Sequence, residues 1–410
     1  HHGEPHRVQE CNAVRGASRA ACTGVRAPEP PIRWRAMATP ESAIPSDVEL
    51  YTVAPDEIAI TFVTAPDVEV VTRIGDVDVT TTGPYHHVAV TGLEPSTEYV
   101  VRVEGAEPTP WCPEVVATLS VPPGRLRARF ATANDVHFGE QICGLLGTER
   151  EVGPVFTTLP GSLHYPQLMN RAAVREIEAG GFDSVLVKGD LTSTGSAEEY
   201  EQFLGVWGAF GDRLHHVRGN HDVHDAEHIA GTGPFTVEVA GAVLAMLDTS
   251  RVHEPNGYLD DHQLEWLDDL AGRSTEPILV FGHHHPWDPM SDDRNPTYFG
   301  IVPDHSEALC EVMARHDNIH GFFAGHTHRN RVRHFRSVRG VPVVEVASLK
   351  EYPGAWAEYR VYDGGYVQIG RRIAGREARA WTERTRRLFA GLYREYALGS
   401  VGDRCFTWQW

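Results

Sequence analysis

The strongest constraint on the fold is a series of apolar, strand-like runs that end in polar side chains. Six such runs lie between residues 127 and 328, and they read RARFATAND, FDSVLVKGD, RLHHVRGNHD, GAVLAMLDTS, EPILVFGHHH and IHGFFAGHTH. Helical stretches such as SAEEYEQFLGVWGAF and DDHQLEWLDDLAG lie between several of them. This alternation predicts an α/β domain in which helices cover β-sheets.

The polar side chains at the ends of these runs are good metal ligands. Open α/β sheets collect their ligand sites at the carboxyl ends of strands, so we expect these side chains to meet. Carboxylate, imidazole and amide donors together suit Mn, Fe or Zn. In chain order the candidates are Asp135, His137, Asp190, Asn220, His221, His283, His284, His285, His326 and His328.

Five short motifs in a fixed order carry a resemblance to a known family. They are Asp-x-His in NDVHFG, GD in VLVKGD, GNHD, His-x-Pro in GHHHP, and GHTH. The series resembles the calcineurin-like metallophosphoesterases. The fold that this resemblance implies is a four-layer αββα sandwich, which we expect over residues 125–375.

The resemblance also implies two divalent or trivalent metal ions (Mn, Fe or Zn) that share Asp190. The ligands of the first ion would be Asp135, His137, Asp190 and His328. The ligands of the second would be Asp190, Asn220, His284 and His326. His284 is chosen because the family's ligand stands two residues before a proline, here Pro286. The choice among His283, His284 and His285 stays open, and His285 is expected to line the substrate pocket instead.

The reaction that the resemblance implies is phosphoester hydrolysis by a hydroxide that bridges the two ions. His221 would contact the phosphate or protonate the leaving oxygen, and Asn220 would also face the substrate. Asp222 would orient His221, as outer carboxylates commonly do. The alternative for Asp222 is a structural role that caps its own turn.

Within the family, the stretches GDLTSTGSAEEYEQF, LDTS and HHHP are similar to the class III cyclic-nucleotide phosphodiesterases. The implied substrate is a small phosphodiester, with 3′,5′-cyclic nucleotides as the first candidate. A phosphomonoesterase is the enzymatic alternative. Purple acid phosphatases need a tyrosine at the position of Ser193, so no tyrosinate ligand is implied.

Residues 45–120 follow a different pattern, with short alternating runs that predict a small all-β sandwich. EIAITF places Ile58, Ile60 and Phe62 on one face of a strand. In GLEPSTEYVVRV, Tyr99 stands where a tyrosine corner ties its hydroxyl to nearby backbone. The region resembles a fibronectin type III module. A non-enzymatic alternative, in which this module binds a partner and the phosphoesterase domain is a scaffold, conflicts with the complete ligand set.

The two ends of the sequence have their own patterns. Residues 1–44 show no apolar periodicity and are expected to be a tag-derived or disordered leader. In residues 376–410, REARAWTERTRRLFAGLYREYALG predicts one amphipathic helix, followed by the apolar tail CFTWQW. The helix is interpreted as a packing or homodimer surface, and a cap over the substrate is the alternative.

Charge and composition limit the partners. The formal net charge of -19 repels polyanions, so long nucleic acid is not an expected partner. No apolar run approaches the ~20 residues that span a bilayer, and no signal peptide is visible, so a cytoplasmic protein is expected. The six cysteines show no C-x-x-C pairing, and the expectation is free thiols.

Overall fold

The computed structural model describes residues 42–145, 153–224, 229–295 and 298–410. The leader predicted over residues 1–44 lies almost entirely outside these ranges. No helix among the described residues is long and apolar enough to cross a membrane. The four cysteines in the described ranges, Cys112, Cys143, Cys310 and Cys405, are buried free thiols, as predicted.

Residues 46–117 form two antiparallel sheets with strand orders β1-β2-β5 and β4-β3-β6-β7. Their strands are β1 (Ser46–Val53), β2 (Glu57–Val63), β3 (Glu69–Ile74), β4 (Val77–Thr82), β5 (Tyr85–Thr91), β6 (Glu98–Val103) and β7 (Val115–Ala117). The backbone N–H of Glu94 donates to the Tyr99 hydroxyl at 2.8 Å, which confirms the predicted corner. The identity of this all-β region as a fibronectin type III module stays a prediction.

Strand β2 is buried on both faces, although its alternation predicts one apolar face only. Ile58, Ile60 and Phe62 point into the apolar cluster of the N-terminal sheets. The opposite face carries Glu57 and Thr61, which bond arginines of a later strand. The polar face is therefore covered by the rest of the protein and not by water.

Two six-stranded sheets form the centre of the remaining chain, in the orders β10-β9-β8-β17-β18-β19 and β11-β12-β13-β14-β16-β15. The first contains β8 (Leu126–Ala133), β9 (Ser184–Lys188), β10 (Leu214–Val217), β17 (Ala355–Tyr362), β18 (Gly365–Arg372) and β19 (Phe406–Gln409). The second contains β11 (Phe235–Val239), β12 (Ala242–Met246), β13 (Ile278–Phe281), β14 (Ile319–Ala324), β15 (Arg331–His334) and β16 (Pro342–Glu345).

The two sheets pack face to face through an apolar layer. Phe130 of β8 and Phe281 of β13 meet there with ring centroids 5.9 Å apart. Helices α3 (Asp261–Arg273) and α4 (Pro303–Arg315) bury their apolar sides on the other face of the second sheet. Helices α1 (Tyr165–Gly180) and α2 (Ala197–Trp207) lie near the first sheet, where Asn170 donates to the Val136 carbonyl at 3.0 Å. This is the mixed α/β arrangement predicted for the centre of the chain.

The C-terminal segment is not the single helix that its periodicity predicts. It consists of α5 (Arg376–Thr385), α6 (Tyr393–Leu398) and α7 (Val401–Arg404), followed by β19. Phe389 and Ala390 have φ of 51° and 57°, so the backbone turns out of the helix between α5 and α6. The prediction is wrong here because Leu388 and Tyr393 are both buried by tertiary contacts that override helical propensity. The apolar tail pairs as β19 with β18.

A buried ionic network ties the first strand to the C-terminal segment. The Glu49 carboxylate of β1 accepts from Arg372 at 2.8 Å, from Arg394 at 2.7 Å and from Arg386 at 3.0 Å. The Tyr352 hydroxyl donates to the same carboxylate at 2.8 Å. The positive charges outweigh burial and hold the pKa of Glu49 well below its usual range. The N-terminal strands are therefore fastened to residues more than three hundred positions away.

Candidate metal centre

Two groups of buried donor side chains lie at the carboxyl ends of the central strands. We name them the carboxylate cluster, with Asp135, His137, Asp190 and His328, and the histidine cluster, with His283, His284 and His326. Within each cluster the donor atoms lie within 4.8 Å of one another. The structure thus brings together the strand-end residues that the sequence singled out.

The backbone at these residues is unusual. The φ values are 53° at Asp135, 45° at His137, 52° at Asp190, 68° at His326 and 56° at His328. A left-handed backbone at a residue other than glycine costs about 1–3 kcal/mol, and such residues concentrate at functional sites. Backbone hydrogen bonds between the strand ends hold this left-handed conformation in place. One example runs from the His137 N–H to the Asp190 carbonyl at 2.9 Å.

Two glycines allow the strand ends to approach closely. A Cβ atom at Gly219 would lie 2.2 Å from Oδ1 of Asp190. A Cβ atom at Gly189, where φ is 82°, would lie 2.6 Å from Nδ1 of His283. Any larger residue at either position would push these side chains apart.

The separations between donor atoms fit ligands that share an ion. His137 Nε2 lies 3.3 Å from Asp190 Oδ2, and His328 Nε2 lies 3.3 Å from Asp135 Oδ1. Two ligands of one ion with bonds of about 2.1 Å are about 3.0–3.4 Å apart. The Nε2 atoms of His137, His284 and His326 are buried and have no hydrogen-bond partner within the described ranges. Because buried polar atoms normally have partners, metal ions suit this donor set.

The histidine next to Asn220 is His283 and not the predicted His284. His283 Nε2 lies 3.2 Å from Asn220 Oδ1 and 3.3 Å from Asp190 Oδ1. Its Nδ1 bonds the Lys188 carbonyl at 2.8 Å, which fixes the ring. His284 Nδ1 is 2.9 Å from the Thr249 hydroxyl, and its Nε2 faces the histidine cluster. Both His283 and His284 belong to the histidine cluster, so the ligand role predicted for His284 stays a prediction and His283 is a further candidate.

Asp190 is a member of the carboxylate cluster and also contacts the histidine cluster. Its Oδ2 faces His137 and its Oδ1 faces His283, both at 3.3 Å. Burial opposes ionisation, but the neighbouring histidines hold the pKa of Asp190 well below its usual range. One oxygen therefore faces each cluster, an arrangement that suits a bridging ligand.

Glu351 is a residue that the sequence did not reveal. Its carboxylate accepts from His328 Nδ1 at 2.8 Å and from the Cys143 thiol at 2.9 Å. The Tyr393 hydroxyl of α6 donates to it as well. Although burial lowers it, the pKa of His328 is raised to about 10 by Asp135 and Glu351. No motif surrounds Glu351, and its partners come from distant parts of the chain.

His221 is oriented by a backbone carbonyl and not by Asp222. Its Nδ1 lies 2.8 Å from the Ser193 carbonyl oxygen, and its ring meets His137 edge-on at 4.6 Å. The Asp222 carboxylate accepts from the N–H groups of Gly219 at 2.7 Å and Thr192 at 2.8 Å. The predicted orienting role is wrong because backbone groups already use both carboxylate oxygens. The structural alternative for Asp222 agrees with these contacts.

His285 is buried and does not face open space. Only 1% of its surface is exposed, and its Nε2 lies 2.7 Å from the Tyr298 hydroxyl. Burial lowers the pKa of His285 to about 4. The contact that the structure shows for His285 is with Tyr298. A direct contact between His285 and the substrate stays a prediction.

Comparisons with known proteins agree with this geometry. Residues 128–330 match the model of the family described as calcineurin-like phosphoesterase. A "probable cyclic nucleotide phosphodiesterase" of Synechococcus sp. is 28% identical over 191 residues, which are 45% of this chain and 73% of that protein. A 3′,5′-cyclic adenosine monophosphate phosphodiesterase of Pseudomonas aeruginosa is 30% identical over 154 residues, or 36% of this chain and 54% of that protein. The chain thus spans about half the length of that second relative.

A solved structure of a dimetal phosphatase from Danio rerio is also similar. It is 18% identical, covers 61% of this chain and 97% of its own, and superposes with a TM-score of 0.49.

Proposed function

We propose that this chain, which contains a calcineurin-like metallophosphoesterase domain over residues 128–330, is a dinuclear-metal phosphodiesterase. The observation that supports this most is Asp190, whose two oxygens face the two donor clusters at 3.3 Å each. Two of the similar curated proteins are named as cyclic nucleotide phosphodiesterases. Small phosphodiesters, with 3′,5′-cyclic nucleotides first, are therefore the proposed substrates.

In this proposal each cluster supplies the ligands of one ion. The first ion would be held by Asp135, His137, Asp190 and His328. The second would be held by Asp190, Asn220, His283, His284 and His326. Such a set of carboxylate, amide and imidazole donors suits Mn, Fe or Zn. Two bound cations would activate water and polarise the phosphoester.

His221 is the proposed catalytic residue outside the ligand set. Its Nδ1–H donates to the Ser193 carbonyl, so Nε2 is the atom left to act on the substrate. The ring is only partly buried, like that of His328 and unlike those of the other cluster histidines. When protonated, its Nε2–H can donate to a phosphate oxygen or to the leaving oxygen. Its backbone N–H donates to Asp190 Oδ1 at 3.0 Å, which fixes the ring beside the bridging carboxylate.

A metal-loaded sample tested on three substrates separates the candidate functions. We expect cyclic AMP and bis-p-nitrophenyl phosphate to be hydrolysed faster than p-nitrophenyl phosphate. His262→Ala, at an exposed position of α3, is the control and should leave every rate unchanged. A large preference for p-nitrophenyl phosphate would make the protein a phosphomonoesterase. Full metal content with no turnover of any phosphoester would favour the non-enzymatic alternative.

A further inference from the structure

A basic group of residues follows the ligand His328 directly. Arg329, Arg331 and Arg333 lie on β15 and on the turn before it. Arg333 donates to the Pro286 carbonyl at 3.0 Å, which places it beside the loop of the histidine cluster. Hydrolysis as proposed above assigns no task to these three side chains.

One buried carboxylate faces all three arginines. Glu345 Oε2 accepts from Arg329 Nε at 3.0 Å and from the Thr327 hydroxyl at 2.8 Å. Glu345 Oε1 lies 3.6 Å from Arg333 Nε. Three guanidinium groups against one carboxylate leave an excess of two positive charges. This local excess contrasts with the net charge of -19 of the whole chain.

Arg331 is the arginine of the three that makes no ion pair with Glu345. It is exposed and stands opposite Glu345 in the antiparallel pair of β15 and β16. Its side chain makes no ion pair or hydrogen bond with any residue that the structure describes. Burial, and then repulsion from Arg333, lowers the pKa of Arg331. An exposed cation crowded by other cations attracts an anion from solution.

An exposed aromatic ring lies beside the histidine cluster, next in sequence to a neighbour of the three arginines. Phe299 is 54% exposed, and its ring centroid lies 4.0 Å from that of His326. The preceding residue, Tyr298, is an electrostatic neighbour of all three arginines. A planar group of a ligand can stack on such an exposed face.

We propose that Phe299 and Arg331 form a subsite for an aromatic substituent of the substrate that carries a second negative charge. This inference rests on the proposed function, because the first negative charge is the scissile phosphate at the metal centre. The ligand class is an aryl or nucleobase phosphoester that bears a further carboxylate or phosphate. The subsite extends the specificity of the centre beyond the phosphate itself.

The test compares two ligands that hydrolysis cannot cleave, phenylphosphonate and 4-carboxyphenylphosphonate. Their binding to the metal-loaded protein is measured by calorimetry, so no turnover is needed. We expect the carboxylated ligand to bind about fivefold more tightly, the upper range for one exposed ion pair. Arg331→Gln should remove this preference and leave phenylphosphonate binding unchanged, whereas Arg331→Lys should keep most of it.

Two controls separate the subsite from general effects. Arg102→Gln, at an exposed arginine of the N-terminal sheets, should behave as the wild type. Phe299→Ala should weaken both aryl phosphonates by a similar factor and leave methylphosphonate unaffected.

The subsite is overturned if the wild type binds both aryl ligands equally or if Arg331→Gln keeps the preference. Equal weakening of both ligands in Arg331→Gln would also overturn it, since that shows a structural role. Failure to hydrolyse any phosphodiester would count against the proposed function alone, because the binding comparison does not depend on turnover.

Discussion

The two donor clusters differ in charge although they share one carboxylate. The carboxylate cluster contains Asp135 and Asp190, and Glu351 stands behind His328 at 2.8 Å. The histidine cluster has no carboxylate of its own. Burial, and then neighbouring histidines, holds the pKa values of His284 and His326 well below their usual range. Burial lowers the pKa of His283 as well, but Asp190 outweighs burial and raises it to about 9. The first cluster therefore attracts a cation by charge, and the second through imidazole donor atoms.

This difference predicts that the two metal ions bind with different affinities. Carboxylates add Coulomb attraction in a buried site, whereas imidazoles add only coordination. We expect the ion of the carboxylate cluster to bind more tightly, and the ion of the histidine cluster to be the first one lost.

The largest expected effect comes from the residue that both clusters share. Asp190→Asn removes the negative charge between the two sites, so at least one metal equivalent should be lost. Turnover should fall by about 10³-fold or more, which exceeds the loss of one transition-state donor. Elemental analysis and rate measurement check this together. Normal stoichiometry with normal rate would show that Asp190 does not bridge.

The next effect tests the side chain that serves neither cluster as a ligand. His221→Ala should lower the rate on cyclic AMP by about 10²–10⁴-fold, the range for a general acid. The loss on bis-p-nitrophenyl phosphate should be smaller, because p-nitrophenolate leaves without a proton. Metal content should not change. Loss of one metal equivalent would move His221 into the ligand set.

A pair of variants sharpens the description of the histidine cluster. His283→Ala should remove the second metal equivalent, because its Nε2 contacts both Asn220 and Asp190. His284→Ala should weaken that ion less, since Thr249 and not a carboxylate holds its ring. Stepwise chelation, followed by metal analysis, shows which variant loses the second ion more readily. If only His284→Ala loses metal, the original choice of ligand is right.

The smallest expected effect is on metal affinity and comes from Glu351, which contacts His328 of the carboxylate cluster. Glu351→Gln keeps the volume but removes the charge that orients His328, so affinity for the tighter ion should fall by about 10–100-fold. Tyr393→Phe, which removes one hydrogen bond to Glu351, should change it less. Titration with metal measures both. An unchanged affinity in Glu351→Gln would mean that Asp135 alone positions His328.

The sequence predicted the strand-end ligands well because each is local to its motif. Asp190 follows an apolar run and a glycine, and this suffices to place it at the edge of a sheet. Glu351 and Tyr393 could not be predicted, because their role exists only after chain segments far apart have met. For Asp222 only the capping of its own turn could be predicted, and not its bonds to Leu191 and Thr192, which lie 31 and 30 residues upstream.

Periodicity also has a limit that the C-terminal segment makes visible. Phe389 and Tyr393 are spaced as one helical face, yet the backbone leaves the helix at Phe389 and Ala390. A pattern of apolar residues reports that they are buried, and not that a single helix buries them. Strand β2 shows the converse, because its polar face is covered by arginines that the local pattern does not contain.

The buried carboxylate of Glu49 has a consequence for how the protein is made. A ribosome delivers the N-terminal strands first, and domains generally begin to fold in that order. The charge partners of Glu49 follow 323, 337 and 345 residues later, at Arg372, Arg386 and Arg394. The N-terminal sheet therefore lacks these charge partners of Glu49 until the three arginines have been synthesised. A chain that stops before Arg372 leaves the Glu49 carboxylate without any of these three partners.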